Sequence, residues 1–267
     1  MAAEHGNAVI RIEHLSTRIG DSWIHHDLNL EVCRGEILAI MGGSGGGKSV
    51  LLHQIMGLLR PTEGRIRVMD TDVHRASPAE LRRVRRKWGI VFQTGALFST
   101  LSLLDNVAFP LREMARYRSS LDEGTIRDLA WLALANVSLG PQDGLKKPGA
   151  ISEGMVKRTA LARALILEPE LLILDEPITG LDPVLSGEFI ALLNDLREEY
   201  NFTGLVVSHN MNALANFADR FAVLADGGFK GIGTLEELAA IEHPFIRGLF
   251  APTSGQERMF RLSHRAE

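Results

Sequence analysis

Residues 37–49 read Ile37-Leu38-Ala39-Ile40-Met41-Gly42-Gly43-Ser44-Gly45-Gly46-Gly47-Lys48-Ser49. The first five form an apolar run, long enough for a buried strand and too short for a helix. The next eight fit G-x-x-x-x-G-K-[ST], and Val50-Leu51-Leu52-His53-Gln54-Ile55-Met56 resumes a helix-compatible pattern. A strand, a glycine loop and a helix in that order form a phosphate cradle. Five glycines among the eight positions let the backbone approach a polyphosphate and take positive φ where the turn needs it. The loop N–H groups and the positive end of the helix then face an anion. Lys48 is placed to reach the β- and γ-phosphates, and the Ser49 hydroxyl to bind Mg²⁺. A flexible turn beside a solvated lysine would not need the strand and helix on either side.

With 267 residues the chain suits one large α/β domain, or one with an inserted lobe. Hydrophobic residues make up 45% and charged ones 23%, as in ordinary globular proteins. A formal net charge of −4 supplies no global positive field for nucleic acid or anionic lipid. Cys33 is the only cysteine, which excludes an intrachain disulfide and suits a reducing compartment. Met1-Ala2-Ala3-Glu4-His5 has neither a basic nor an apolar signal region, so no signal peptide is expected. No apolar run approaches the ~20 residues that span a bilayer, so work at a membrane would require docking to another protein.

Working outward, Val9-Ile10-Arg11-Ile12-Glu13 and Leu28-Asn29-Leu30-Glu31-Val32 alternate as half-buried strands do, with Gly20-Asp21 as a turn between them. Arg34-Gly35-Glu36 turns into the loop strand, and Pro61-Thr62-Glu63-Gly64 into a strand over 65–69. Two antiparallel hairpins flanking the loop are expected. Ser77-Pro78-Ala79-Glu80 starts a helix with a capping serine, a proline at the first position and a glutamate three residues on. Its Arg82, Arg83, Arg85, Arg86 and Lys87 read as a solvated face rather than a nucleic-acid patch. Ile90-Val91-Phe92 is a short strand ending at Gln93. From about 94 to 149 the pattern is helical, with amphipathic stretches over 104–111 and 121–137, the second opened by Asp122 and Glu123. Strands are expected again over 171–174, 205–207 and 221–224, with helices over 154–167, 184–200 and 211–218. That alternation predicts an α/β fold with a mostly parallel sheet covered on both faces.

Leu171-Leu172-Ile173-Leu174 ends in Asp175-Glu176. An acid at the carboxyl edge of a strand holds Mg²⁺, which suits Asp175, and Glu176 is placed to polarise an attacking water. With these residues the chain resembles the ATP-binding cassette (ABC) ATPases along nearly its whole length. The order carries the resemblance: phosphate loop at 42–49, Gln93 at a strand end, a signature-like segment, the paired acids, then Ser208-His209. Lys157-Arg158-Thr159-Ala160-Leu161-Ala162-Arg163-Ala164-Leu165 is similar to the signature helix, and Pro177-Ile178-Thr179-Gly180-Leu181-Asp182-Pro183 to the D-loop.

The resemblance implies a RecA-like core sheet with an antiparallel β subdomain, over 1–93 and 156–242. It implies an inserted helical subdomain over 94–155 and leaves 243–267 as a C-terminal extension. It implies two copies sandwiching two ATP molecules, each between one copy's phosphate loop and the other's signature, where Ser152 and Gly154 would meet the γ-phosphate. Gln93 would sense Mg²⁺ and nucleotide, His209 would contact the γ-phosphate, and Asp182 would communicate across the dimer.

Two departures stand out. Ile151-Ser152-Glu153-Gly154-Met155 has Glu153 where the family signature has glycine, and the carboxylate is expected to point to solvent or to a cation such as Lys157 or Arg158. The aromatic that usually stacks on adenine is replaced near 18–20 by Arg18 or Ile19, with Trp23 a further candidate.

Phe92-Gln93-Thr94-Gly95-Ala96-Leu97-Phe98-Ser99, the following Asp105-Asn106-Val107-Ala108-Phe109-Pro110-Leu111-Arg112, and Gly154-Met155-Val156-Lys157-Arg158 are similar to the ATPases of Mla-type (MCE) phospholipid transporters. That likeness implies lipid transport that maintains outer-membrane asymmetry. The chain would be peripheral on the cytoplasmic face of the bacterial inner membrane, as a homodimer on two copies of an integral permease. A periplasmic MCE-domain lipid-binding protein would lie beyond the permease, and a small STAS-domain protein is a further partner that the likeness allows. Ala96-Leu97-Phe98 would receive the permease, or else pack in the core, and Phe245, Ile246, Leu249, Phe250 and Phe260 would anchor the extension on the partner subunit, the alternative being a loosely ordered tail. The alternatives are a transporter of another solute and a soluble cassette acting on DNA or ribosomes. The second usually brings two cassettes, a coiled-coil insertion or a basic face, none of which is present, so no nucleic-acid partner is expected.

Overall fold

The computed structural model describes residues 7–43, 45–118 and 121–250. Its strands are β1 (Ala8–Ile19), β2 (Ser22–Cys33), β3 (Ile37–Met41), β4 (Glu63–Val68), β5 (Thr71–Asp72), β6 (Trp88–Val91), β7 (Leu171–Asp175), β8 (Thr203–Ser208), β9 (Arg220–Ala225) and β10 (Gly228–Gly233). The helices are α1 (Lys48–Ile55), α2 (Pro78–Arg85), α3 (Leu103–Arg118), α4 (Glu123–Asn136), α5 (Pro141–Gly144), α6 (Glu153–Leu165), α7 (Pro183–Tyr200), α8 (Met211–Leu214), α9 (Leu235–Ala239) and α10 (Pro244–Phe250).

The central sheet runs β10-β9-β3-β8-β7-β6, and all its pairs are parallel except β10 on β9. All five residues of β3 are buried, as a strand covered on both faces requires. Its alternate side chains enter two cores. Ile37, Ala39 and Met41 pack with the helices α3, α4, α6 and α7, while Leu38 and Ile40 pack with α1 and the second sheet. Burying each such aliphatic side chain stabilises the fold by about 1.5–3 kcal/mol. The register sets Met41 beside Ser208 and Asp175 beside Val207. Parallel strands thereby gather the carboxyl ends of β3, β8, β7 and β6 along one edge, where α/β sheets bind ligands.

The second sheet runs β2-β1-β4-β5 and is antiparallel. It differs from two separate hairpins: β4 lies back along β1, pairing Ile10 with Val68 and Ile12 with Ile66, because those side chains share one buried face. Asp122 caps α4 by accepting from the Thr125 N–H at 3.0 Å, and the Ser77–Glu80 capping box opens α2. On α2 only Val84 is buried, and the arginines are solvated. α3 runs on through Pro110 to residue 118, past the expected end at 111. β10, α9 and α10 lie beyond the last strand expected from the sequence.

Candidate active site

The phosphate loop leaves β3 at Gly42 and enters α1 at Lys48. Ser44 lies outside the described residues. Gly47 occupies the α1 N-cap at φ +90° and offers no side-chain cap, so the first helical N–H groups keep their capacity for an anion. Lys48 is buried, and its Nζ donates to the carbonyls of Gly42 at 2.8 Å and Gly43 at 2.9 Å. Burial pulls its pKa down, against the opposing charges of Glu176 and Asp175. Those two carboxylates at the end of β7 thus act on the same ammonium that the loop presents.

Asp175 is pushed up by burial and by the neighbouring Glu176, more than His53 and Lys48 pull it down. A half-buried carboxylate with an incomplete counter-charge fits a cation, and the Ser49 hydroxyl, Gln93 amide and Asp175 carboxylate are the hard oxygen donors that Mg²⁺ takes. Glu176 adopts φ +47°, in the sparsely used left-handed region. Its N–H donates to the Val207 carbonyl at 2.8 Å, and its Oε2 accepts from the Thr179 hydroxyl at 2.9 Å. His209 Nδ1 lies 3.0 Å from both carboxylate oxygens. The acid is held from three sides at the end of β7.

Ser152 caps α6 by accepting from the Met155 N–H at 3.3 Å, which leaves its own O–H free to donate. No hydrogen bond among the described residues joins Ser152 or Gly154 to the loop of the same chain. Asp182 caps α7, its Oδ1 accepting from Val184 and Leu185 N–H at 2.9 Å each.

Glu153 meets one of the two alternatives expected from the sequence, solvent, and not the other, a cation. It is exposed but forms no ion pair with Lys157 or Arg158, and Arg158 pairs with Glu188 instead. Its carboxylate lies over Gly180 of the D-loop, where a Cβ would stand 2.7 Å from the Glu153 Cδ. Of the three candidates for the adenine contact, Trp23 alone lines the cavity of about 510 Å³ beside Gly43, Gly45 and Gly46. Arg18 instead bonds Asp21 at 3.0 Å.

The extension also differs from expectation. Ile246 is fully buried in the chain's own core with Phe245 and Leu249 against it, so these anchors are used within the subunit. Phe250 is 38% exposed, and Phe260 lies outside the described residues.

Sequence reasoning missed His25. It is fully buried on β2, with Nε2 at 3.1 Å from the Gly47 carbonyl and Nδ1 at 3.2 Å from the Thr17 hydroxyl. Gln54 of α1 donates to the same hydroxyl at 2.8 Å. A neutral imidazole protonated on Nε2 satisfies both contacts, in line with burial holding its pKa below the ordinary value. This chain of side chains braces the loop from the antiparallel sheet.

A phosphate loop at a parallel sheet edge, with two acids and a histidine at the adjoining strand ends, defines a P-loop nucleotide hydrolase. The ABC transporter family model matches residues 25–179. The chain is 42% identical over 86% of its length, and 85% of the relative's, to the intermembrane phospholipid transport system ATP-binding protein MlaF of Haemophilus influenzae. It is 40% identical over 89% of its length, and 65% of the relative's, to the probable ribonucleotide transport ATP-binding protein mkl of Mycobacterium tuberculosis H37Rv. Its fold is similar to the dimeric post-hydrolysis state of the ATP-binding cassette MJ0796 bound to ADP and Pi. The TM-score is 0.76 at 31% identity, covering 84% of this chain and 98% of that one. The chain belongs to the ABC transporter ATP-binding family and is an ATP-hydrolysing enzyme.

Proposed function

We propose that this chain powers a phospholipid transporter of the Mla/MCE type by closing as a homodimer on two ATP molecules. The observation that carries the lipid assignment is the 42% identity to MlaF over most of both chains. In this reading the 42–49 loop and Lys48 hold the phosphates, and Ser49, Gln93 and Asp175 hold Mg²⁺, which neutralises charge on the phosphates. Glu176, steadied by His209 and Thr179, accepts the proton of the attacking water, and His209 meets the γ-phosphate. Ser152 and Gly154 serve the other copy's nucleotide, and among the described residues neither is hydrogen-bonded to its own loop. Asp182 lies at the junction, beside Val184 and Leu185, which are 71% and 40% exposed and which a second copy would cover. Trp23 forms the adenine wall. Catalysis is then positioning plus electrostatic stabilisation, with little covalent chemistry for the protein.

No helix of the described residues is long and apolar enough to cross a membrane, so coupling runs through a permease. Phe98, 44% exposed and packed at 4.7 Å on the Phe109 ring, is the docking point, on the cytoplasmic face of the inner membrane. An MCE-domain protein beyond the permease and a STAS-domain protein on the helical lobe complete the assembly. The mkl relative keeps a second reading in view, transport of a ribonucleotide-like solute. The test is capture of tagged Glu176→Gln chain from detergent-solubilised membranes. Co-purification of a permease with an MCE-domain protein is expected; a permease with a different solute-binding protein would remove the lipid assignment, and ribosomes or DNA-bound proteins alone would remove the transporter.

A further inference from the structure

Lys157 is a buried cation outside the phosphate-binding set. It lies near the middle of α6, is 1% exposed, and is among the largest fully buried side chains. Burying an ammonium is costly unless its donors are used. No carboxylate of the described residues comes within ion-pair distance of it. Its Nζ instead donates to two main-chain carbonyls, that of Gln93 at 3.1 Å and that of Glu176 at 3.4 Å. Burial lowers its pKa, and the negative charges of Glu153 and Glu176 oppose that shift. Glu153 precedes Lys157 by four helical positions, the favourable order for a glutamate and a lysine, so the acid in the signature turn supplies part of the counter-charge.

The two carbonyls belong to the residues whose placement matters most at the sheet edge. Glu176 is held at φ +47°, a conformation that persists only where the surroundings fix it. Its N–H is tied to Val207, and its carbonyl accepts from the Thr179 N–H at 3.3 Å and from Lys157. The same ammonium holds the peptide that carries Gln93, and its own helix begins at Ser152 and Glu153.

We propose that Lys157 is a positioning residue for ATP hydrolysis, its ammonium fixing the Gln93 and Glu176 main chains to the signature helix so that movement of that helix resets both side chains together. The inference rests on the roles assigned above to Gln93 and Glu176. Lys157 touches neither nucleotide nor water in this account. Its loss should therefore act on the chemical step and spare nucleotide binding.

The test compares Lys157→Met, which fills the space without a donor, with Lys157→Gln, which keeps an N–H donor on a shorter arm. It uses the full-length chain and measures kcat, KM for ATP and the thermal midpoint. Misplacing a reacting group by ~1 Å costs about 100-fold in rate. The expected result is kcat down about 100-fold in Lys157→Met and about 10-fold in Lys157→Gln, with KM and thermal midpoint close to those of the parent. A merely structural lysine would lower the midpoint and leave kcat of the folded fraction unchanged. That result, or a glutamine variant as slow as the methionine one, overturns the proposal. If Lys157→Met does not fold, Lys157→Gln decides alone: slower kcat at unchanged KM supports it, and parental kcat overturns it. Glu176→Gln is run alongside. Full turnover by that variant would overturn the assignment of Glu176 itself, whereas its inactivity with parental turnover in Lys157→Met overturns only the positioning role.

Discussion

Gly180, at φ +87° in the D-loop, leaves the space that the Glu153 carboxylate occupies. Two like charges ~4 Å apart cost about 4 kcal/mol at an effective dielectric of 20, so a carboxylate in the signature turn is tolerable only if it keeps clear of the γ-phosphate. Gly180→Ala would displace it, since the obstructing atoms are the flexible end of a side chain. ATP turnover should fall several-fold in Gly180→Ala, and the fall should shrink when Glu153→Gly is added, because no carboxylate remains to be displaced. Equal losses in both backgrounds would assign the effect to backbone strain alone. Glu153→Gly by itself should leave turnover within about twofold of the parent, as the charge is already turned aside.

His25 yields a pH dependence. Its pKa lies below the ordinary 6.5 because burial disfavours the imidazolium. Above pH 6.5 both folded and unfolded chains hold it neutral, and it contributes no slope. Below that value the unfolded chain takes up a proton that the native chain refuses, so stability falls. His74, lowered by burial too, acts with the same sign. The thermal midpoint should drop as pH falls below about 6.5, and His25→Gln should flatten part of that drop; an unchanged slope would contradict the account. His25 was hidden in the sequence because register shifts between Leu15, Thr17 and Arg18 of β1 break the alternation that runs through Leu28, Leu30 and Val32. Beyond that irregularity period-two reading loses its phase. Lys48, Asp175 and Glu176 were legible because each sits at a strand or helix end that apolar patterning locates.

The segment between β6 and α3 shows how the loop proposed for docking is held. Asn106, fully buried on α3, accepts from the Phe98 N–H at 2.8 Å and donates to the carbonyls of Phe98 at 3.1 Å and Ser102 at 2.9 Å. It fixes the loop that presents Phe98. Asn106→Leu would leave buried groups unpaired, at about 1–3 kcal/mol. Melting should shift down accordingly and capture of a permease should be lost, while ATP binding by the phosphate loop persists; retained capture would dissociate this loop from docking. Elements with strong period or caps were visible in the sequence: β3, α2 with its Ser77 box, and α4 behind Asp122. β10 was not, although Asp226-Gly227, at φ +47° and +72°, is the turn pair that hairpins favour. Its residues, Gly228–Gly233, include three glycines and a lysine, and all but Gly233 are half-buried, so no alternation marks them. The long β1–β2 ribbon was read only over its regular half, for the reason that hid His25.

For the whole molecule, the parallel sheet fixes the loop, the acids and His209 along one edge, while the signature turn at α6 has no hydrogen bond to that loop. In the proposed function the other copy supplies the second wall for the nucleotide. The overall architecture was legible because alternating strands and helices leave few topologies. The seat of Glu153 over Gly180 and the packing of α10 were not, since each depends on a neighbour distant in sequence, Gly180 in one case and the core around Ile246 in the other. The central claim is that ATP joins two copies through opposed signatures. The most direct measurement is the mass in solution of the full-length Glu176→Gln chain, by light scattering on a sizing column, with and without Mg-ATP. The account predicts a dimer only with Mg-ATP, and a monomer when Ser152→Ala or Lys48→Ala is added. A chain that binds ATP and stays monomeric, or a dimer indifferent to Ser152, would contradict it.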